Sequence, residues 1–300
     1  MGVTATSYSH YTEHTDNVFT LSWSPAGTRI ASGGRDNTVR IWEPESGHTI
    51  YTFRTHQACI LALDWSPDAC YLASGDLNGI IYVWEASTGR VVTTYRGHQR
   101  FVHSISWSPD GHTIASGGDF GDNTVQIWDA LSGQHIYTHR SQYRIFAAPW
   151  SPDGSRIASA SFDNVVQIWL PIEAPPPLTY THHTGPVYTL GWSPDGIHMA
   201  SAGQDTRAHI WDATTGRLLH VYPQHTRAIK ALAWSPDGTA IASGGDDTIL
   251  RIWSASDPDT TYLALSDLHQ AWIRALDWSP THPLLASTSQ KTIHLTTIQL

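Results

Sequence analysis

Short runs of alternating apolar and polar residues fill this chain, and their lengths are typical of β-strands. The segment from Val18 to Arg54 shows the pattern, because VFTLSW, RIASGG, DNTVRIW and HTIYTFR follow one another with a turn between each pair. A period of two puts alternate side chains on one face of a strand. The pattern therefore predicts four short strands per segment, and in the third strand Val39 and Ile41 alternate with polar neighbours.

The connections carry turn signals. SPAG or SPDG follows the first strand of most segments, and its proline presets φ at the second position of a type I turn while glycine suits the fourth. The sequence thus predicts hairpins throughout and an all-β fold. LPIEAPPPLTY (170–180) replaces an ordinary turn; we expect a stiff connector, although a proline-rich ligand for other domains has the same composition.

The four-strand segment recurs seven times. The tripeptide WSP begins at Trp23, Trp65, Trp107, Trp150, Trp192, Trp234 and Trp278, at intervals of 42 to 44 residues. A second tryptophan ends the third strand of six segments, at Trp42, Trp84, Trp128, Trp169, Trp211 and Trp253. A period of roughly 40 to 45 residues predicts a β-propeller, because one small sheet buries its faces only by stacking against copies of itself.

These repeats resemble those of the WD40-repeat family over essentially the whole chain. The matching residues are the His before most repeats, the Gly and Ser of the second strand, the turn Asp, and the Trp with Asp129 or Asp212 after it. The resemblance implies a single seven-bladed β-propeller over residues 1–300, with four-stranded antiparallel blades. The expected blades are 14–55, 56–97, 98–140, 141–182, 183–224, 225–268, and 269–300 together with 4–13.

The ends of the chain predict how the ring closes. The seventh repeat supplies three strands, and SYSHYT (7–12) lies in the register of TIYTFR (49–54). We therefore expect the N-terminal strand to complete the last blade, which removes an exposed sheet edge.

Charge and composition argue against several classes of function. The net charge is −9 and the chain has only two lysines, Lys230 and Lys291, which argues against nucleic-acid binding. Neither lysine follows a glycine, so the sequence contains no P-loop motif. No signal peptide or membrane-length apolar run occurs, and two cysteines, Cys59 and Cys70, fit a reducing compartment. We expect a cytoplasmic monomer that binds no cofactor, metal, nucleic acid or membrane, or else a piece of a larger protein.

Ser243, Asp247 and His225 raise the question of a catalytic triad. The same types, with a Trp, recur in the first, third, fifth and sixth repeats: His14, Ser32, Asp36, Trp42; His98, Ser116, Asp122, Trp128; His183, Ser201, Asp205, Trp211; and His225, Ser243, Asp247, Trp253. Asn78 holds the acid position in the second repeat. An enzyme needs one active site, whereas every blade needs stabilising, and no G-x-S-x-G elbow surrounds these serines. We predict a buried structural network and no enzyme.

HYTEH (10–14) matches the zinc-binding pattern H-x-x-E-H. That chemistry requires a helix that brings both histidines to one face. Residues four apart on a strand lie about 13 Å from each other. We therefore predict no metal site here.

The resemblance also implies the binding face, which is formed by the loop before the first strand and the turn before the third. It assigns three positions per blade: six and four residues before the first Trp, and the residue before the turn acid. The expected contacts are Phe19, Arg35, Phe101, His103, Arg144, Phe146, Phe162, Tyr188, Lys230, Asp246, Trp272 and Arg274. Aromatic and basic residues, which are enriched at interface hot spots, outnumber the one acid, Asp246.

The sequence predicts a non-enzymatic scaffold for a protein or peptide segment with apolar anchors and some acidic character. A phosphorylated segment is an open alternative, because arginine clusters suit phosphate. The WSPDG pattern resembles bacterial WD-repeat proteins, in which such a ring is the sensor or partner-binding part of a signalling protein. A small-molecule or glycan-binding propeller is the main alternative, and a propeller enzyme is a third.

Overall fold

Seven four-stranded antiparallel sheets make up the structure, a computed structural model that describes residues 4–119, 121–171, 177–257 and 259–299. Within these ranges the chain forms 28 strands. The proline-rich residues 172–176 lie outside the described residues, so the expectation for that connector stays a prediction. Among the described residues there is no helix that could cross a membrane.

The strands follow the repeats in order. The first blade contains β2 (Val18–Trp23), β3 (Ile30–Gly34), β4 (Val39–Trp42) and β5 (Thr49–Phe53). The second contains β6 (Ile60–Trp65), β7 (Tyr71–Asp76), β8 (Ile81–Glu85) and β9 (Val91–Tyr95), and the third β10 (Val102–Trp107), β11 (Thr113–Gly118), β12 (Thr124–Asp129) and β13 (His135–Arg140). The fourth contains β14 (Ile145–Ala147), β15 (Ile157–Ser161), β16 (Val166–Trp169) and β17 (Leu178–Tyr180).

The remaining blades repeat this order. The fifth contains β18 (Val187–Trp192), β19 (His198–Gly203), β20 (Ala208–Asp212) and β21 (Leu218–Tyr222). The sixth contains β22 (Ile229–Trp234), β23 (Ala240–Gly245), β24 (Leu250–Ser254) and β25 (Thr261–Leu265). The last contains β26 (Ile273–Trp278), β27 (Leu284–Ser289), β28 (Thr292–Gln299) and β1 (Thr4–Tyr11).

The ring closes through the N-terminal strand, as the sequence predicts. β1 pairs antiparallel with β28, from Thr4 opposite Gln299 to Tyr11 opposite Ile293. This register makes Tyr11 the equivalent of Phe53, which lies opposite Val39 in the first blade. The first and last segments of the chain therefore share one sheet, and its outer strand comes from the N-terminus.

The first tryptophan of a repeat joins its inner strand to the preceding blade. The indole N–H of Trp65 donates to the Ser22 carbonyl at 3.1 Å, and that of Trp23 donates to the Asp277 carbonyl at 3.1 Å. The same bond recurs from Trp192, Trp234 and Trp278. These bonds satisfy part-buried donors and fix the spacing of neighbouring inner strands.

The second tryptophan joins the outer parts of neighbouring blades. Phe53 on the outer strand of the first blade lies flat on Trp84 of the second, with ring centroids 4.4 Å apart. Equivalent stacked pairs are Tyr11–Trp42, Tyr95–Trp128, His139–Trp169, Tyr180–Trp211 and Tyr222–Trp253. Flat ring stacking buries large apolar area at six blade boundaries.

Candidate partner-binding face

Two loops of each blade meet at one end of the ring. In the first blade the amide of Arg35 donates to the Asn17 carbonyl at 2.8 Å, which joins the turn before the third strand to the loop before the first. The same bond occurs in five more blades: Leu77 to Cys59, Asp119 to Phe101, Phe162 to Arg144, Gln204 to Pro186 and Asp246 to Ala228. We call this end, with its two loops per blade, the channel-mouth face.

The third blade departs from the expected alignment. Counting back from the turn acid assigns Gly121 to this face, but the residue that bonds to the Phe101 carbonyl is Asp119, at 3.0 Å. The two inserted residues follow Asp119 in the sequence, so a fixed offset from Asp122 selects the wrong residue. The face therefore includes an acid that the sequence pattern did not assign to it.

A buried hydrogen-bonded chain supports each loop pair. In the sixth blade Trp253 Nε1 donates to Ser243 Oγ at 3.0 Å, Ser243 Oγ lies 2.7 Å from His225 Nε2, and His225 Nδ1 donates to Asp247 at 2.9 Å. The first, third and fifth blades contain the same chain through His14, His98 and His183. The chain ties the turn to the second and third strands.

The triad geometry lies inside the sheet. Ser243 has a relative exposure of 0%, and its Oγ contacts the Trp253 indole as well as His225. A nucleophile must reach its substrate. Because Trp253 and the blade enclose Ser243, this constellation acts as a structural network.

The second blade also has a complete network, contrary to the expectation from Asn78. His56 Nδ1 donates to Asp76 at 2.8 Å, while Ser74 bonds to both His56 and Trp84. Asp76 occupies the position of a glycine in the third blade, Gly118, as strand register shows. A Cβ added at Gly118 would lie 2.7 Å from His98 Nδ1, so a carboxylate at this position reaches the histidine directly.

The fourth and seventh blades have incomplete networks. Ser141 replaces the histidine in the fourth, where Trp169 still donates to Ser159 at 3.2 Å and His139 stacks on the Trp169 ring. In the seventh, His269 Nε2 lies 2.9 Å from Ser287 Oγ, but its buried Nδ1 has no hydrogen-bond partner among the described residues. These two blades therefore lack part of the hydrogen-bonded network that stabilises the other five blades.

The turn acids stay ionised in these networks. Burial alone would raise the pKa of Asp36, but hydrogen bonds from His14, Thr38 and the Thr15 amide outweigh burial and hold this pKa well below its usual range. The pKa of Asp247 is lowered in the same way, against burial, by His225 and two backbone amides. Each acid is therefore a fixed acceptor that orients its histidine.

One cluster of possible metal ligands lies in the fifth blade. Its nitrogen and oxygen atoms, from His183, Asp205 and His209, lie within 4.8 Å of one another. His183 bonds to Asp205 at 2.7 Å and to Ser201 at 2.8 Å, so both of its ring nitrogens are engaged. The His183 and His209 rings are stacked 4.0 Å apart, which points their nitrogens side by side rather than at one point. The cluster is an extension of the structural network.

The histidine of the HYTEH pattern and the two cysteines each have a defined environment in the structure. In HYTEH, His14 bonds through both ring nitrogens to Asp36 and Ser32. Cys59 is buried and Cys70 is exposed, and both are free thiols. Burial raises the pKa of Cys59 to about 12, which keeps it an unreactive thiol.

Aromatic side chains form a continuous array on the channel-mouth face. The centroid of the Phe146 ring lies 5.0 Å from that of Tyr188 and 5.9 Å from that of His103, both edge to face. It lies 6.5 Å from the centroid of the tilted Phe162 ring. Phe101 extends the array through His103 at 6.3 Å. Five predicted contact residues from the third, fourth and fifth blades therefore lie in one group.

Cations lie over these rings. The Arg144 guanidinium is 4.2 Å from the Phe162 ring centroid, and Lys230 Nζ is 3.6 Å from that of Tyr188. Arg274 lies 4.8 Å from the Trp272 ring and 5.8 Å from that of Phe19. Cation–π contacts with the rings hold the charged ends of these side chains in defined positions.

The face is less positive than the sequence suggests, because acids outside the predicted set neutralise its cations. Arg35 lies 3.7 Å from Asp16, and Arg144 lies 3.9 Å from Asp119. Lys230 lies 3.7 Å from Asp246, the one acid expected here. Arg274 is the remaining cation of the predicted set, and it forms no ion pair with a described residue.

A cavity of about 470 Å³ opens at the centre of the face. One residue from each blade, four positions before the first Trp, lines its rim: Phe19, Leu61, His103, Phe146, Tyr188, Lys230 and Arg274. Trp272 and Phe162 contact the rim residues Arg274 and Phe146 and have relative exposures of 49% and 40%. The exposed Tyr143, next to Arg144, was missed because it falls one residue outside the repeat positions.

The fold and these networks define a class, the closed seven-bladed β-propellers whose blades are locked by buried His–Ser–Trp chains. The family model "WD domain, G-beta repeat" matches residues 5–43, 47–85, 89–129, 132–169, 175–212, 216–254 and 256–296. The chain therefore belongs to the WD40 family, whose propellers are typically scaffolds for protein interactions.

Several curated proteins share short segments with this chain. A peroxisomal targeting signal 2 receptor from mouse is 38% identical over 52 residues, which is 17% of this chain and 16% of the receptor. The APC/C activator protein CDC20 from Saccharomyces cerevisiae is 40% identical over 52 residues, 17% of this chain and 8% of that protein. Mouse coronin-7 is 38% identical over 58 residues, 19% and 6% respectively. The chain thus spans less than a fifth of each relative's length.

Proposed function

We propose that this protein is a non-enzymatic scaffold that binds a protein or peptide segment on the channel-mouth face. The observation that carries the proposal is the group of rings around Phe146, which continues through the stacked cations Arg144 and Lys230 to the cavity rim. Clustered rings and ordered arginines at a solvent-facing surface are the features of interface hot spots.

The pairing of charges specifies the partner further. Arg35, Arg144 and Lys230 each lie near an acid, so a partner gains little new charge pairing from them. Arg274 has the exposed Trp272 ring beside it and the cavity in front of it. The partner segment therefore places an acidic residue against Arg274 and an apolar side chain in the cavity or on Trp272.

Relatives support a binding role in general terms, because their names describe a receptor and an activator. The matched relatives are eukaryotic, so the bacterial signalling context stays a prediction, as do cytoplasmic location and the monomeric state. The absence of enzyme activity is part of the proposal, supported by the enclosed position of Ser243.

The proposal is tested by selection from a displayed peptide library. Wild type is compared with Trp272→Ala, Arg274→Gln and the control Ile197→Ala, which alters an exposed apolar residue in the hairpin between β18 and β19 at the other end of the blade. We expect peptides with an acid near an apolar anchor, bound by wild type and control and at least ~10-fold more weakly by the other two. Glycan-array binding without peptide selection would instead support the glycan alternative.

A further inference from the structure

Among the residues that the structure describes, the boundary between the sixth and seventh blades has no stacked ring pair like those at the other six boundaries. At those six boundaries an outer-strand ring lies 4.3 to 4.5 Å from the next blade's tryptophan. Strand register identifies the residues at the seventh. Leu265 lies opposite Leu250 as Phe53 lies opposite Val39, and Thr296 lies opposite Leu285 as Trp42 lies opposite Ile30. A leucine and a threonine therefore stand where two rings are stacked elsewhere.

Because Leu265 and Thr296 are smaller than the two rings they replace, a groove of about 350 Å³ lies between the two blades. Its lining residues are Ala5, Ala264, Leu265, Ser266, Asp267, Leu268 and Thr296. The volume lies in the range of sites that hold small molecules, roughly 300 to 1,000 Å³. None of these residues lines the central cavity, so the groove is separate from the channel-mouth face.

Thr296, a lining residue of the groove, has an unsatisfied polar group. Thr296 is only 1% exposed, and its Oγ1 has no hydrogen-bond partner among the described residues. In six blades the indole N–H donates to the serine of the second strand, as Trp42 does to Ser32 at 3.2 Å. Ser287 receives no such donor, because Thr296 occupies the tryptophan position. A buried hydroxyl without a partner is destabilising, and a bound polar ring would satisfy it.

We propose that this groove binds a small planar aromatic amine, that is, an indole or phenol ring that carries an ammonium group. The ring takes the place of the missing tryptophan against Leu265, and its N–H or O–H bonds to the Thr296 hydroxyl. Asp267 is a carboxylate on the lining, and the described lining residues include no basic side chain, so the groove complements a cation. The six filled boundaries show that this fold accommodates a flat ring at the equivalent place.

The test is calorimetric titration of the folded protein with tryptamine, and with indole-3-acetate as a ring of opposite charge. We expect tryptamine to bind to wild type, and to do so at least ~10-fold more tightly than indole-3-acetate does. Thr296→Trp, which fills the groove with the family's own residue, should abolish binding, and Asp267→Asn should remove the preference for the cation. Ile136→Ala, an exposed residue on β13, is the matched control and should bind as wild type does.

Equal binding of tryptamine by wild type and Thr296→Trp would overturn the proposal, as would no binding by wild type. Equal affinity for the two probes would overturn the assignment to an amine. If circular dichroism shows that Thr296→Trp is unfolded, Ala5→Trp, which blocks the groove from β1, takes its place. Because the channel-mouth variants lie elsewhere, failure here leaves the proposed scaffold function untouched.

Discussion

Tyr11 lies flat on Trp42, with ring centroids 4.3 Å apart and ring planes within 5°. Tyr11 belongs to the N-terminal strand, which is the outer strand of the last blade, whereas Trp42 belongs to the first blade. The Tyr11 hydroxyl also lies 2.6 Å from Thr49 Oγ1 on the outer strand of the first blade. One side chain near the start of the chain therefore joins the two blades between which the ring closes.

Replacing Tyr11 with Ala should destabilise the whole ring. The variant loses a fully buried ring and leaves a cavity over Trp42, so we expect the free energy of unfolding to fall by about 3 kcal/mol. Urea denaturation measures the change. Ile50→Ala, which alters an exposed residue of β5, is the control and should change stability by less than about 0.5 kcal/mol. Equal effects of the two substitutions would show that β1 does not close the ring.

The second blade's network makes a distinct prediction. Asp76→Ala leaves His56 Nδ1 buried without its acceptor, so we expect a loss of about 1–3 kcal/mol in the free energy of unfolding. Asn78→Ala, at the exposed position where the repeat pattern expects the acid, should cost less than about 0.5 kcal/mol. Thermal and urea unfolding of both variants test the assignment, and a larger effect at Asn78 would reverse it.

Thr248 marks a place where the chain can be stabilised. Its backbone is left-handed, with φ of 66°, a conformation that a β-branched side chain disfavours. Asn37, Asn123 and Asn164 hold the equivalent turn position at similar φ, and asparagine tolerates it. Thr248→Asn should therefore raise the free energy of unfolding by about 0.5–1 kcal/mol. Asn37→Thr is the reverse experiment, and a gain in stability there would contradict this explanation.

The pH dependence of stability should report on His269. Burial, with a smaller contribution from the neighbouring His294, lowers the pKa of His269 to about 3. The unfolded chain protonates this histidine near its ordinary value of about 6.5, and the folded chain does not, so stability falls as the pH drops from about 6.5 towards 3. His269 therefore costs the folded state no stability at a pH well above its pKa in the unfolded chain, about 6.5.

The measurement is chemical denaturation of wild type and His269→Gln at pH 7 and pH 5. We expect wild type to lose about 1–2 kcal/mol more than the variant over this interval. The difference between the two proteins cancels groups that both contain, including Asp64 and Asp277, whose pKa values burial raises to about 7. Parallel losses in the two proteins would show that His269 is not buried in its neutral form.

The repeated pattern was sufficient to predict the blades, their strand order and the closing strand, because Tyr11 and Phe53 hold the same place in one register. It failed where a blade departs from a fixed spacing. Asp76 occupies a glycine position and binds His56 as a turn acid does in other blades. An insertion places Asp119, rather than Gly121, on the channel-mouth face. A fixed spacing along the sequence does not reveal such replacements. They depend on which backbone positions face the histidine in the folded blade.

The charge of the face was mispredicted for a related reason. Asp16 and Asp119 approach Arg35 and Arg144 from positions that the repeat pattern does not assign to the surface. Ion pairs between loops depend on side-chain reach in three dimensions, so a count over assigned positions omits them. The aromatic residues were assigned by their positions in the family's repeat, and the rings of Phe101, Phe146, Phe162 and Tyr188 lie in one group in the structure.

The role of the channel-mouth face is tested most directly by quantitative capture of partners from native lysate. Wild type, the triple variant Phe146→Ala/Trp272→Ala/Arg274→Ala and the control Ile197→Ala are immobilised in equal amounts, and bound proteins are measured by mass spectrometry. We expect a partner that wild type and the control retain alike, and that the triple variant, folded by circular dichroism, loses by at least ~10-fold. Equal retention of every partner by all three proteins would contradict the account.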